Sequence, residues 1–136
     1  MSNFTGADLI ANALAQLSIE HVFGIVSIHN MPLMDAINRL GETKIIDVRH
    51  EQAGTHAADG YARATGKLGV MIASTGPGTS NTVTGLYEAQ YGSSRVLVIT
   101  GQAETAFYGR GVGYVHEAEN QVAMLRSVCR RVESPR

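Results

Sequence analysis

The chain has 136 residues, 44% of them apolar and 17% charged, which is enough for a folded core and too apolar for a disordered tail. Eleven Lys and Arg against twelve Asp and Glu give a net charge of -1, which argues against a dedicated nucleic-acid binder. A single cysteine, Cys129, excludes an internal disulfide framework and a multi-cysteine zinc site, and no apolar run approaches the ~20 residues of a membrane span.

The predicted elements alternate between helix and strand. Thr5 is placed to cap a first helix, with the acid Asp8 three residues on and an apolar stripe of Leu9, Ile10, Ala13, Leu14 and Leu17 behind it. His21 to Ile25 reads as a short strand, and a helix from Pro32 to about Leu40 ends at Gly41. Lys44 to Val48 is a second strand, and Glu51 to Thr65 is a helix closed by Gly66. Gly69 to Ser74 is a third strand, followed by a helix from Thr79 to Tyr91 that ends at Gly92. Arg95 to Thr100 is a fourth strand. After a Gly-rich stretch, Glu117 to Val128 is a last helix.

The third and fourth strands are continuous apolar runs, the pattern of strands covered on both faces. With the helix-strand alternation, this predicts an α/β fold: a three-layer parallel sheet with helices on both faces. Ligands of such sheets bind beyond the carboxyl ends of the strands. Ile25 to Asn30, Arg49 to Glu51, Ser74 to Asn81 and Gly101-Gln102 fall there.

Several of these segments have a plain structural reading beside a functional one. Ser74-Thr75-Gly76-Pro77-Gly78-Thr79-Ser80-Asn81 lets backbone approach a ligand and puts an anion within reach of a helix start. It is equally a tight strand-to-helix turn with Thr79 as cap. It lacks the Lys of a Walker loop, and Asn81 stands where a Gly-x-Gly-x-x-Gly motif needs glycine. Glu51 either complements a helix dipole or serves proton exchange. The helix it opens is nearly bare of bulk, with Ala53, Gly54, Ala57, Ala58, Gly60, Ala62 and Ala64, so close packing is expected to desolvate the carboxylate and raise its pKa.

His50 and His56 do not share a helix face, so no metal ligand set is assigned. Cys129 reads as a small core residue, and the terminal Arg126, Arg130, Arg131 and Arg136 as a solvated surface. The segment from Tyr108 to Tyr114, with Gly109, Gly111 and Gly113, is a mobile loop or a strap over a site. Met1 to Gln16 carries no Lys or Arg and does not read as a signal peptide, so a cytoplasmic setting is expected.

Val22-Phe23-Gly24, Arg49-His50-Glu51-Gln52, Ala57 to Gly66, Ser74 to Asn81 and Val98 to Gln102 follow one another in order. This series resembles the N-terminal, pyrimidine-binding domain of thiamine diphosphate enzymes, the acetolactate synthase branch above all, with benzoylformate decarboxylase-type enzymes as relatives. The resemblance covers almost the whole chain. It implies that Glu51 is buried and hydrogen-bonds N1' of the cofactor's aminopyrimidine, promoting the imino form that removes the thiazolium C2 proton. It implies cofactor contacts from Val26, Ser27, Pro77 and Asn81, and a cavity faced by Ser74 and Gln102. It also implies a small 2-keto acid as substrate, with decarboxylation or carboligation as outcome.

Two departures qualify it. Relatives carry a Pro-Gly pair after Phe-Gly, whereas this chain has Ile25-Val26-Ser27-Ile28-His29-Asn30. His29 is there either a substrate-facing acid/base or a polar loop residue. The family also binds the diphosphate and Mg2+ through a Gly-Asp-Gly on a separate domain, and no Gly-Asp-Gly occurs here. Residues 1–136 are therefore expected to form a C-terminally incomplete pyrimidine domain, with its last strand missing, an exposed sheet edge, and the central and diphosphate-binding domains elsewhere. A homodimer or homotetramer is implied, no nucleic-acid or membrane partner is expected, and FAD in the parent enzyme stays open. The alternative from another class is a non-catalytic α/β nucleotide- or partner-binding module.

Overall fold

A computed structural model describes residues 4–135, so Arg136 of the terminal arginines lies outside the described residues. The element order is α1 (Gly6–Gln16), β1 (His21–Gly24), α2 (Met31–Leu40), β2 (Lys44–Asp47), α3 (Glu51–Thr65), β3 (Gly69–Ala73), α4 (Pro77–Tyr91), β4 (Val96–Thr100) and α5 (Gln121–Arg126). Local chemistry explains most boundaries. Thr5 and Asp8 form a capping box: Thr5 Oγ1 accepts from the Asp8 N–H at 3.2 Å, and the Thr5 N–H donates to the Asp8 carboxylate at 2.9 Å. Gly41 and Gly66 close α2 and α3 at φ of 73° and 71°, a conformation that favours glycine.

Two helix starts differ from the sequence expectation by two residues or more. Helix α4 begins at Pro77, not Thr79, because a proline is compatible with the first helical position, where no N–H is needed. Thr79 is not its cap; its hydroxyl donates back to the Ser74 carbonyl at 2.7 Å. Helix α5 begins at Gln121 because the Glu117 carboxylate accepts from the N–H of Gly113 at 3.0 Å and so closes a turn instead.

The sheet is parallel throughout, in the order β2-β1-β3-β4. One face is covered by α1 and α2 through Leu14, Leu33, Ile37, Val22, Val70 and Ile72. The other is covered by α3 through Phe23, Met71, Ala73 and Ala58, with Leu86 of α4, Leu125 of α5 and Val128 just after it adding a further cluster. Every residue of β3 is buried. Strand β4 is not: it forms an edge, and Leu97 keeps 37% of its surface. An apolar run alone could not distinguish the two. Cys129 is partly buried against the Leu125–Val128 cluster.

The small residues of α3 and α4 bring these helices together as expected. A Cβ on Gly85 would lie 2.6 Å from the Thr55 Cβ, and one on Gly54 would strike Met71. Among the described residues no helix is long and apolar enough to cross a membrane.

Candidate active site

The strand order reverses between β1 and β3, because β2 lies on one side of β1 and β3 on the other. A crevice for a ligand forms at the carboxyl ends of such a pair. The residues that follow β1, β2, β3 and β4 meet there. A larger groove of about 530 Å³ lies at the amino ends, lined by Glu20, His21, Glu42 and Lys44, away from that crevice.

Glu51 is the first residue of α3. His50 caps the helix, its Nδ1 accepting from the Gln52 N–H at 3.2 Å, so that ring is held in a structural role. Asn81, early in α4, donates from Nδ2 to Glu51 Oε2 at 3.0 Å. Gly78 lies beside the other oxygen: a Cβ there would sit 3.2 Å from Glu51 Oε1 and 2.8 Å from the Ser74 Cβ. The starts of α3 and α4 thus converge on one carboxylate. Glu51 is half-buried, against the expectation of a sealed carboxylate. It stands at the rim of the close helix packing, not within it.

Ser74 is held firmly. Its carbonyl accepts from Thr79 Oγ1 at 2.7 Å and from Thr100 Oγ1 at 3.0 Å. Its side-chain oxygen lies 3.4 Å from His29 Nδ1. Gly101 makes room for His29, since a Cβ there would be 3.0 Å from the His29 Cβ. The loop that carries His29 is pinned by Asn30: Oδ1 accepts from the Ser27 N–H at 2.7 Å, and Nδ2 donates to the Ile25 carbonyl at 3.0 Å. Ser27 Oγ and His29 Nε2 are buried without a hydrogen-bond partner among the described residues. Val26 is 57% exposed, and Pro77 is exposed at the start of α4.

The Gly-rich segment after β4 crosses the site as a strap. Gln102 Oε1 accepts from the Ala103 N–H at 2.8 Å, and Nε2 donates to the Ala118 carbonyl at 3.2 Å, so this amide anchors the strap. Phe107 and Tyr114 stack at 3.9 Å, and the Tyr114 hydroxyl donates to Glu104 at 2.8 Å. That hydrogen bond, with some burial, raises the tyrosine pKa.

Sequence reasoning missed Gln121 and His116. Buried Gln121 accepts from the Gly76 N–H at 2.8 Å through Oε1 and donates to the Gly101 carbonyl at 2.8 Å through Nε2. His116 takes a left-handed conformation, φ 62°, with its carbonyl against Gly76, where a Cβ would collide. The glycines at 109, 111 and 113 were the available signal for the strap, but nothing local marks which residue it lays over the site.

The arrangement suits an aromatic ring with a basic nitrogen. One oxygen of Glu51 is occupied by Asn81, the other accepts no hydrogen bond from the described residues, and Gly78 lets it pack closely against the start of α4. The orphaned Ser27 hydroxyl adds a polar group without a partner. The residues therefore fit a pyrimidine-type ligand.

Comparison with known proteins points the same way. The sequence model of the thiamine pyrophosphate enzyme N-terminal TPP binding domain matches residues 4–124. The chain is 47% identical over 108 residues to an acetolactate synthase of Arthrospira platensis, which covers 77% of this chain and 19% of that protein. It is 40% identical over 109 residues to the acetolactate synthase large subunit of Buchnera aphidicola subsp. Schizaphis graminum, covering 80% and 19%. Against the acetolactate synthase isozyme 3 large subunit of Escherichia coli K12 the identity is 37% over 109 residues, covering 80% and 19%. The chain thus spans about a fifth of the length of these relatives.

Proposed function

Because the chain belongs to the family of the thiamine pyrophosphate enzyme N-terminal TPP binding domain, we propose that it forms the pyrimidine half of an acetolactate synthase-type active site acting on 2-keto acids. Glu51 carries this reading, with Oε2 fixed by Asn81 and Oε1 accepting no hydrogen bond from the described residues. Oε1 holds a proton against a ring nitrogen and exchanges it during turnover. Asn81 orients the carboxylate. Pro77, Val26 and Ser27 border the ring. Ser74 and His29 face the substrate, and Gln102 holds the strap at the rim. When bound, thiamine diphosphate supplies the electron sink for bond changes at a keto carbon.

The remaining groups come from outside residues 1–136 in this reading. A diphosphate-binding domain supplies the Mg2+ site, and a homodimer or homotetramer in the cytoplasm completes the enzyme. Decarboxylation and carboligation are both within the chemistry, and a flavin elsewhere in the complete enzyme is compatible with this reading. The test is Glu51→Gln in the complete enzyme. Thiamine-dependent turnover is expected to fall by about 10²–10⁴-fold, the usual weight of a positioned acid-base group. Undiminished turnover overturns the assignment.

A further inference from the structure

Helix α4 starts without a side-chain cap. A Ser, Thr, Asp or Asn at that position usually fixes a helix start by accepting from its first free N–H groups. Gly76 stands there instead, with φ 55° and ψ -113°, a conformation that favours glycine. What holds it is the side chain of Gln121, 45 residues further along the chain.

Gln121 is buried, and both ends of its amide are used. Oε1 accepts from the Gly76 N–H at 2.8 Å and from the Thr75 hydroxyl at 3.0 Å. Nε2 donates to the Gly101 carbonyl at 2.8 Å. One side chain thus ties the end of β3 to the end of β4. Its own backbone is held as well: Gln121 opens α5, and Leu125, one turn on, is buried in one cluster with Leu86 of α4.

The segment that Gln121 holds carries the site. The Gly76 carbonyl accepts from the Ser80 N–H at 2.9 Å and so begins the hydrogen-bond ladder of α4. Asn81 is the next residue, and its Nδ2 reaches Glu51 Oε2 at 3.0 Å. A displaced Gly76 therefore shifts the first turn of α4, and with it the bond that orients Glu51.

Resting on the thiamine diphosphate reading above, we propose that Gln121 is a positioning residue for the reaction: through Gly76 and the first turn of α4 it sets where Asn81 holds the Glu51 carboxylate. Its influence falls on proton exchange at Glu51 and leaves substrate binding to other residues.

The experiment uses the complete enzyme with Gln121→Asn, Gln121→Met, Asn81→Ala and each Gln121 variant combined with Asn81→Ala. Asparagine keeps the amide but is too short to hold Gly76 and Gly101 together, and methionine keeps the length without the amide. Thermal melting and calorimetry with thiamine diphosphate give the folded, cofactor-loaded fraction, and steady-state kinetics with pyruvate give kcat and KM. Misplacement of an acting group by about 1 Å can cost about 100-fold, so kcat per loaded enzyme is expected to fall about tenfold to hundredfold. KM is expected to stay within about twofold. Each double variant is expected to be no slower than Asn81→Ala alone, because both changes act on one bond. A lowered melting temperature with unchanged kcat per loaded enzyme overturns the proposal, as do losses that multiply in the double variants. Either Gln121 variant that folds decides the matter. A wild-type enzyme that binds no thiamine diphosphate overturns the parent reading as well.

Discussion

Asn81 donates from Nδ2 to Glu51 Oε2 at 3.0 Å, joining α4 to the first residue of α3. The bond fixes which carboxylate oxygen faces the crevice. Asn81→Ala leaves Glu51 free to rotate. A hydrogen bond to a charged group contributes about 1.5–3 kcal/mol, so kcat is expected to fall roughly tenfold to hundredfold in the complete enzyme. Stopped-flow and steady-state kinetics check this, and retention of full kcat contradicts it.

Gly78 has to be small because Ser74 and Glu51 crowd the place a Cβ would take, at 2.8 Å and 3.2 Å. Gly78→Ala is expected to displace the carboxylate and lower stability by about 1–3 kcal/mol, the usual cost of overpacking. Thermal melting gives the stability change, and calorimetry the accompanying loss of thiamine diphosphate affinity.

Two other glycines separate packing from propensity. Gly85→Ala drives a methyl into Thr55 across the α3–α4 contact and should destabilise by about 1–3 kcal/mol. Gly60 is exposed within α3, and nothing lies within 4 Å of its absent Cβ. Gly60→Ala is therefore expected to stabilise by about 0.5–1 kcal/mol. Denaturant titration of both variants tests the opposite signs.

Asp8 links stability to acid. Its hydrogen bonds from the Thr5 hydroxyl and backbone, then from Arg39, lower its pKa from 3.8 to about 2. A depressed carboxyl pKa contributes stability above the unfolded value and loses it as pH falls through the folded one. The contribution of Asp8 is thus expected to fade between about pH 4 and pH 2. Asp8→Asn should flatten the melting temperature across that window, as followed by circular dichroism. An unchanged slope contradicts the assignment.

Much of the fold was legible because its signals are local. Thr5 with Asp8, Gly41 and Gly66 mark helix ends through hydrogen bonds and dihedrals that involve only neighbours. The start of α4 was misplaced because Gly76-Pro77-Gly78 carries turn residues that also suit a helix entry. The exposure of Leu97 was hidden because edge and central strands share one apolar pattern. In the site, Glu51 and Asn81 were legible through family resemblance, while the partnership of Gln121 with Gly76 leaves no local trace.

By itself, the sequence determined the alternation of helix and strand, the caps, and the presence of Glu51 at a helix start. These rest on periodicity and short-range bonding. Only the tertiary structure decided that His29 meets Ser74, that His116 lies beside them, and that Gly78 packs tightly against Glu51 and Ser74. Those contacts depend on the strand order β2-β1-β3-β4, which is set by burying both faces of the sheet at once. No single segment carries that collective condition.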